Sequence, residues 1–544
     1  MGRKGFIVAF GVLLGLAAPG CCPRDPALNT VKTAHGNTDW HIDTAEEFLT
    51  GHEMSGAATA ANHCPDTWTK THMHVGETNA DVYYYDSGVF ASGNDSDATK
   101  GIDQAMLFFY AGHGDPTHYN TLGNSAYLDK MRLGNCAAGS AGILRYFWQC
   151  SCEVFAHGPK TCTPATEEYA CPGAFDGSHD SDAMRNVYER WGPVLGPSLR
   201  MACGSSTAAY CHETEANKIW DNYNNKGYDV ADAFIDGLHR YSWNTPLCIT
   251  TGAFLTGSTP LFDATFTNAP NASGDYYHIQ YLSSFASTAP TLLLEIPELL
   301  PIFELEPQPL PDPYRQIQFK EEGAWRLAVQ QIRGRGPAYK VNNLSGATYA
   351  FGERRYNEAV KPLDERAYLE AATRVIDANG WLEKETLPPV GVRSLIDRAP
   401  RREMKQPDIQ RFTKNVTVTY RRMLDVGGKK VAVLGEGGAI SVQLNADGSL
   451  YNASKVWRKV KGVRATTKAK TYDQALQEAQ QRLGDKERDA YRLADWNWGY
   501  EEEAGNVAQP EMKAAFHFNF MPKEPRQQVE HPPRIVRISA HLDK

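Results

Sequence analysis

Three short runs in the first half of the chain are apolar at nearly every position: 82–85, 105–110 and 143–148. Runs of this length, rich in aromatic and branched residues, predict strands covered on both faces, as in a parallel sheet. The gaps between them are long enough for the crossover helices that parallel strands require. Residues 229–238 place Val230, Ala233, Phe234 and Leu238 at helical spacing, and 247–251 predict a further strand. Past residue 313 the period changes. Ala367, Leu369, Ala371, Ala372, Val375 and Ile376 predict a helix over 364–378 that stops at Asn379-Gly380. Val416, Val418 and Tyr420 alternate with polar residues, as do Ile440, Val442 and Leu444, and Asn445-Ala446-Asp447-Gly448 supplies a hairpin turn. A second helix is predicted over 471–483, where Thr471 and Gln474 have capping-box spacing. The first pattern is α/β with a parallel sheet; the second is α+β with antiparallel strands.

Between the two patterns lies a proline-rich stretch, 290–313, with prolines at 290, 297, 301, 307, 309, 311 and 313. Such a stretch reads as an extended, semi-rigid linker. The expected organisation is therefore 1–22 as an export signal, 23–289 as an α/β domain, 290–313 as a linker and 314–544 as an accessory region of up to two units.

Composition refines this division. The 544 residues are 42% hydrophobic and 22% charged, which excludes a disordered chain and leaves room for several domains. The net charge of −8 gives no reason to expect nucleic acid as a partner. Charge is unevenly placed: residues 1–300 carry 16 Lys and Arg against 32 Asp and Glu, and residues 301–544 carry 40 against 32. An acidic first region and a basic second one predict electrostatic docking of one on the other. All 11 cysteines fall between Cys21 and Cys248, and 13 of the 16 histidines precede residue 300, so the chemistry is expected in the first region.

The N-terminus predicts export. Arg3 and Lys4 precede an apolar segment, 6–18, too short to span a bilayer comfortably. Ala18-Pro19-Gly20-Cys21 then resembles a bacterial lipoprotein box, in which Cys21 would carry the lipid; the alternative is a conventional secretory signal. The expected location is the cell envelope or the exterior, with membrane contact only through that lipid. An oxidising compartment implies paired cysteines. Cys162 with Cys171, and Cys203 with Cys211, are near enough in sequence to close short loops, but spacing does not fix the connectivity.

Two segments place reactive residues just past apolar strands: Gly112-His113-Gly114-Asp115 and Gln149-Cys150-Ser151-Cys152-Glu153. The carboxyl ends of strands are where open α/β sheets bind ligands. Soft metal ligands also occur, as His63, Cys64, His72 and His74, or as Cys150, Cys152, His157, Cys162 and Cys171. Neither set has the Cys-x2–4-Cys spacing of structural zinc, and the His63–His74 stretch reads as a surface loop, so no metal is expected. Gly435-Glu436-Gly437-Gly438 reads as a turn, and no cofactor is expected.

The pairing of His113-Gly114 with Ser151-Cys152 resembles the caspase–gingipain–legumain clan of cysteine peptidases, and Cys152-Glu153 is similar to the Cys-Glu of legumains. Trp191, the segment 199–206 and the segment 227–234 follow in an order that looks like an exported bacterial branch of that clan. The resemblance covers about residues 80–255. It implies a three-layer caspase-like sandwich with a mostly parallel sheet, and an endopeptidase acting on peptide or protein substrates. Cys152 would be the nucleophile, His113 the general acid and base, and the backbone N–H groups of Gly114 and Cys152 the oxyanion donors. Cys150 is the second candidate nucleophile and Cys203 the third. The region after 313 resembles PepSY-type modules. Glu153, standing where caspases have glycine, together with the crowded cysteines, keeps a second reading open: a catalytically inactive, caspase-like binding lipoprotein.

Overall fold

The computed structural model describes strands at 30–35 and 69–73 and residue 48, then 105–112, 118–121, 124–127, 144–151, 154–155, most of 187–252, 266, 275–285 and 296–305, short strands within 319–352, and most of 359–542. The first region contains β1 (Thr30–His35), β2 (Thr69–Met73), β3 (Leu107–Ala111), β4 (His118–Thr121), β5 (Asn124–Tyr127), β6 (Tyr146–Cys150), α1 (Val187–Trp191), β7 (Met201–Ser205), α2 (Glu213–Asn224), α3 (Val230–Leu238), β8 (Pro246–Gly252) and β9 (Tyr276–Phe285). Strands β2, β1, β3, β6 and β7 lie side by side and run parallel; β8 and β9 then add antiparallel. The order places β1 between β2 and β3, so consecutive connections leave β1 on opposite sides.

The unbroken apolar runs have the burial they predict. Every residue of β3, β6 and β7 is buried. Alternate side chains divide between two cores. Phe108, Tyr110 and Phe147 meet Val187, Tyr188 and Trp191 of α1 on one face. Leu107, Phe109, Tyr146 and Trp148 meet Ile219 and Trp220 of α2 and Phe234 and Leu238 of α3 on the other. Full burial of one such side chain is worth about 1.5–3 kcal/mol, so these two cores dominate the stability of this half. Helices α2 and α3 pack closely because Gly237 faces Ile219; a Cβ there would come within 2.4 Å of that side chain.

Two findings revise the sequence-based picture of this region. Strand β2 falls inside the stretch taken for a surface loop, and its backbone pairs His72 with Thr33 of β1. Its Thr-Lys-Thr-His-Met sequence has no apolar run, and among the described strands it is the outermost of the sheet, where polar side chains are tolerated. The run Val82 to Tyr85 lies outside the described residues.

The chain continues with β10 (Leu299–Leu305), β11 (Phe319–Glu321), β12 (Ala324–Arg326), β13 (Ala328–Gln331), β14 (Ala338–Val341), β15 (Thr348–Phe351), α4 (Glu365–Ala378), β16 (Val390–Pro400), β17 (Gln410–Arg421), β18 (Met423–Val426), β19 (Lys429–Leu434), β20 (Ala439–Asn445), β21 (Leu450–Lys455), β22 (Val460–Lys468), α5 (Tyr472–Leu483), β23 (Tyr491–Glu501), β24 (Glu511–Pro522) and β25 (Arg534–Ser539). Strand β16 pairs antiparallel with β9 from Gly391 opposite Phe285 to Pro400 opposite Tyr276. Strands β17, β20, β21, β15, β14 and β13 extend the same sheet, which reaches fourteen strands among the described residues. The fold is thus mixed α/β, rich in strands, with a large sheet of mixed orientation in place of a mostly parallel one. Helix α4 covers the added half, setting Tyr368, Ala372 and Ile376 against Val416, Val418, Ile440 and Val442. A second sheet, ordered β18-β19-β23-β24-β10-β22 with β25 on β24, packs under α5.

Strand β10 lies within 290–313, the stretch read as a linker, so this part of it is a strand of the second sheet. Leu300, Phe303 and Leu305 are buried there, and burial outweighs the missing donor of Pro301, whose carbonyl accepts the Tyr500 hydroxyl at 2.9 Å. The two regions also share buried charge. Asp397 of β16 accepts Arg411 Nε and Nη2 at 2.8 and 2.9 Å and the Tyr281 hydroxyl at 3.4 Å. Burial, then the neighbouring carboxylate, pushes the Tyr281 phenol up.

Candidate active site at the strand ends

Strands β3 and β6 are adjacent and parallel, and Ala111 pairs with Cys150 at their carboxyl ends. His35, the last residue of β1, is level with Ala111 on the other side. Three neighbouring strands therefore finish at one level, beside the point where the strand order reverses. The ladder runs one step further, since Gly112 N–H donates to the Cys150 carbonyl at 3.1 Å. Gly112 and Ser151 are both buried, and the Ser151 hydroxyl donates to Gln149 Oε1 at 3.2 Å.

Beyond β6, Val154 and Phe155 are both fully buried. Phe155 N–H donates to the Ser205 carbonyl at 3.0 Å, and its ring stacks on Trp191 with centroids 4.5 Å apart. Trp191 Nε1 donates in turn to the Val154 carbonyl at 3.0 Å. Gly204 of β7 makes this possible: a Cβ there would meet Val154 and Phe155 at 2.6–2.7 Å. Past the end of β7, the Ser205 and Ser206 hydroxyls both donate to the Thr245 carbonyl, at 3.3 and 3.2 Å. The floor at this end of the sheet is thus apolar and tied down by backbone hydrogen bonds.

His113 follows Gly112 directly in sequence, and Cys152 follows Ser151. His113, Gly114 and Cys152 lie outside the described residues, as does Cys21 with residues 1–22, the stretch read as an export signal. The other candidate thiols are accounted for. Cys150, the second choice as nucleophile, is fully buried and disulfide-bonded, with its partner outside the described residues, so it carries no free thiol. Cys203, the third, is bonded to Cys248. These two residues sit directly opposite each other on antiparallel β7 and β8, with Cα atoms 4.1 Å apart. Cross-strand proximity, not nearness in sequence, selects Cys248 over Cys211. His35 was not singled out from the sequence; the only trace of it is a polar residue closing a short alternating stretch, Thr-Val-Lys-Thr-Ala-His.

No protein-family model matches this chain, and no curated protein does either.

Proposed function

We propose that this protein is an exported, caspase-like thiol endopeptidase in which Cys152 attacks the peptide carbonyl and His113 manages the protons. One observation carries the reading. In sequence, His113 and Cys152 each lie two residues after a paired position of two adjacent parallel strands in register, Ala111 with Cys150. Two residues before them in sequence, Ala111 and Cys150 point into one core together with Phe109 and Trp148. A nucleophile and a base brought in on neighbouring strand ends need little further organisation to reach hydrogen-bonding distance. The parallel order β2-β1-β3-β6-β7, with helices on both faces, is consistent with the three-layer sandwich that the sequence resemblance implies. The Cys203–Cys248 disulfide supports an oxidising compartment, and hence export.

The disulfide at Cys150 favours one other reading, a binding protein of the same fold with an oxidised, silent site. Alkylation without reduction, followed by an electrophilic peptide probe, separates the two. The peptidase reading expects Cys152 to be free and selectively labelled, and His113→Ala to slow labelling by roughly 100-fold or more. A Cys152 locked in a disulfide, or labelled no faster than a denatured thiol, overturns it in favour of the binding protein.

A further inference from the structure

A buried polar cluster lies away from the strand ends, where α3 meets the added half of the sheet. Lys414 of β17 places its Nζ 2.6 Å from Asp229 Oδ2 and 3.1 Å from Asp232 Oδ2. Asp229 caps α3, and Asp232 is in its first turn. The lysine head and both carboxylates are more than nine-tenths buried, with side-chain exposures of 9%, 3% and 3%. Every neighbour holds this arrangement in place. Lys414 Nζ donates to Gln280 Oε1 at 2.9 Å, Gln280 Nε2 donates to Asp232 Oδ1 and to Ser394 Oγ, and Asn415 Nδ2 donates to Asp232 Oδ2 at 3.0 Å.

We propose that Lys414 and Asp229 condense to an isopeptide bond, with Asp232 as the proton relay, welding the second region covalently to α3. Covalent geometry keeps the Lys414 nitrogen within about 4 Å of Asp229 Cγ, close to the roughly 3–3.5 Å of a near-attack arrangement. The carboxyl is also polarised for attack. Asp229 Oδ1 accepts the Asp232 backbone N–H at 2.8 Å, at the positive end of α3, where charge develops as the tetrahedral intermediate forms.

The step balances without any co-reactant. One ammonium proton passes from Nζ to Asp229 Oδ2, leaving an amine and a carboxylic acid. Nζ then attacks Cγ, and a second proton passes from nitrogen to Asp232 Oδ2. Asp232 returns that proton to the departing oxygen, the Cγ–Oδ2 bond breaks, and water leaves. The third proton stays on the amide nitrogen, and Asp232 ends as it began. Exclusion of bulk water and the fixed geometry are what make an otherwise uphill condensation favourable. The inference does not depend on the peptidase reading, because it uses none of the same residues.

Trypsin cuts this sequence after Lys226, Arg240, Arg411 and Arg421. In the reduced and alkylated full-length protein, the proposal expects one branched peptide joining 227–240 to 412–421, lighter than the two together by one water, with no cleavage at Lys414. Fragment spectra should place the branch on Asp229. Lys414→Arg keeps a cation but should abolish the branched peptide, and Asp232→Asn should strongly reduce it in folded protein. A wild-type digest that releases 415–421 as a free peptide, or a branch mapped to Asp232, overturns the proposal.

Discussion

The two halves of the fourteen-stranded sheet bury their strands in different ways. In the parallel half, β3, β6 and β7 are buried at every residue, because helices cover both faces. In the antiparallel half, β16 and β17 mix buried with half-exposed positions, because α4 covers part of one face. This is the contrast expected between parallel and antiparallel sheets, here within a single sheet joined edge to edge at β9 and β16. It implies that the first half has no permissive face, while the second has many permissive positions.

The sharpest way to break that contrast is at Trp148. Its ring is fully buried between Phe48, Phe234 and Phe266, at centroid distances of 6.1, 5.1 and 5.4 Å. Trp148→Ala should cost about 3–5 kcal/mol, from lost transfer energy and an unfilled cavity. Val390 of β16 is 39% exposed, and Val390→Ala should stay within about 0.5 kcal/mol. Urea denaturation of both variants checks the pair; equal losses would mean that the parallel half is not packed as the structure has it.

How much of this was legible in the sequence follows from the same contrast. The runs that became β3 and β6 announce themselves because burial on both faces leaves no polar position. Helices α3, α4 and α5 could be located from cap residues and spacing, and the capping box of α5 is present with both hydrogen bonds. Strands β1 and β2 were illegible because edge and near-edge strands keep threonines and lysines. The pairing of β9 with β16 was illegible for another reason: nothing local in either strand names a partner more than 100 residues away. The two regions meet in the β9–β16 ladder and in the buried pairs of Lys414 with Asp229 and Asp232, none of which a count of charges along the chain could locate. For the site, the two apolar strands that end at Ala111 and Cys150 could be read from the sequence, while His113 and Cys152, which follow them in the chain, lie outside the described residues. The disulfides of Cys150 and Cys203 could not, since they depend on spatial neighbours.

A smaller effect is expected where the two sheets exchange chain. The backbone crosses between them at Arg422, at Gly437-Gly438 and at Arg458, and Glu502 sits among all three. Its carboxylate accepts Arg458 N–H at 3.1 Å and Nε at 2.9 Å, Gly437 N–H donates to its carbonyl at 2.8 Å, and Arg422 Nη1 donates to the Arg458 carbonyl at 2.5 Å. Burial pushes the Glu502 carboxyl up to about 7, against the pull of Arg458 and Arg422. The folded value lies above the unfolded one of 4.5, so the native state holds the extra proton and this group's contribution falls as pH rises from 4.5 to about 7. Buried His278, lowered to about 3 by burial and then by Arg398, works the other way and costs stability as pH falls below 6.5. The two trends oppose each other in the wild type. The stability difference between wild type and Glu502→Gln isolates the carboxyl, and it should change by about 2 kcal/mol between acid and neutral pH. A difference that is flat with pH would show that Glu502 titrates normally and that the crossing is wetter than the structure has it.

The smallest effect tests whether the second region's helices stand on their own local signals. Helix α5 buries only Ala475, Ala479 and Leu483, small payloads beside the tryptophans under α2 and α3. Its start is secured locally instead. Thr471 Oγ1 accepts Gln474 N–H at 3.2 Å, and Gln474 Oε1 accepts Thr471 N–H at 2.9 Å. Both bonds are exposed, so water can replace them in part, and Thr471→Ala should cost about 1 kcal/mol. Amide hydrogen exchange should show the loss concentrated in the first turn of α5, with protection in β3 and β6 unchanged. Equal loss of protection in the parallel strands would mean that the shared sheet makes the chain one cooperative unit, in which even a surface cap is felt at the carboxyl ends of β3 and β6.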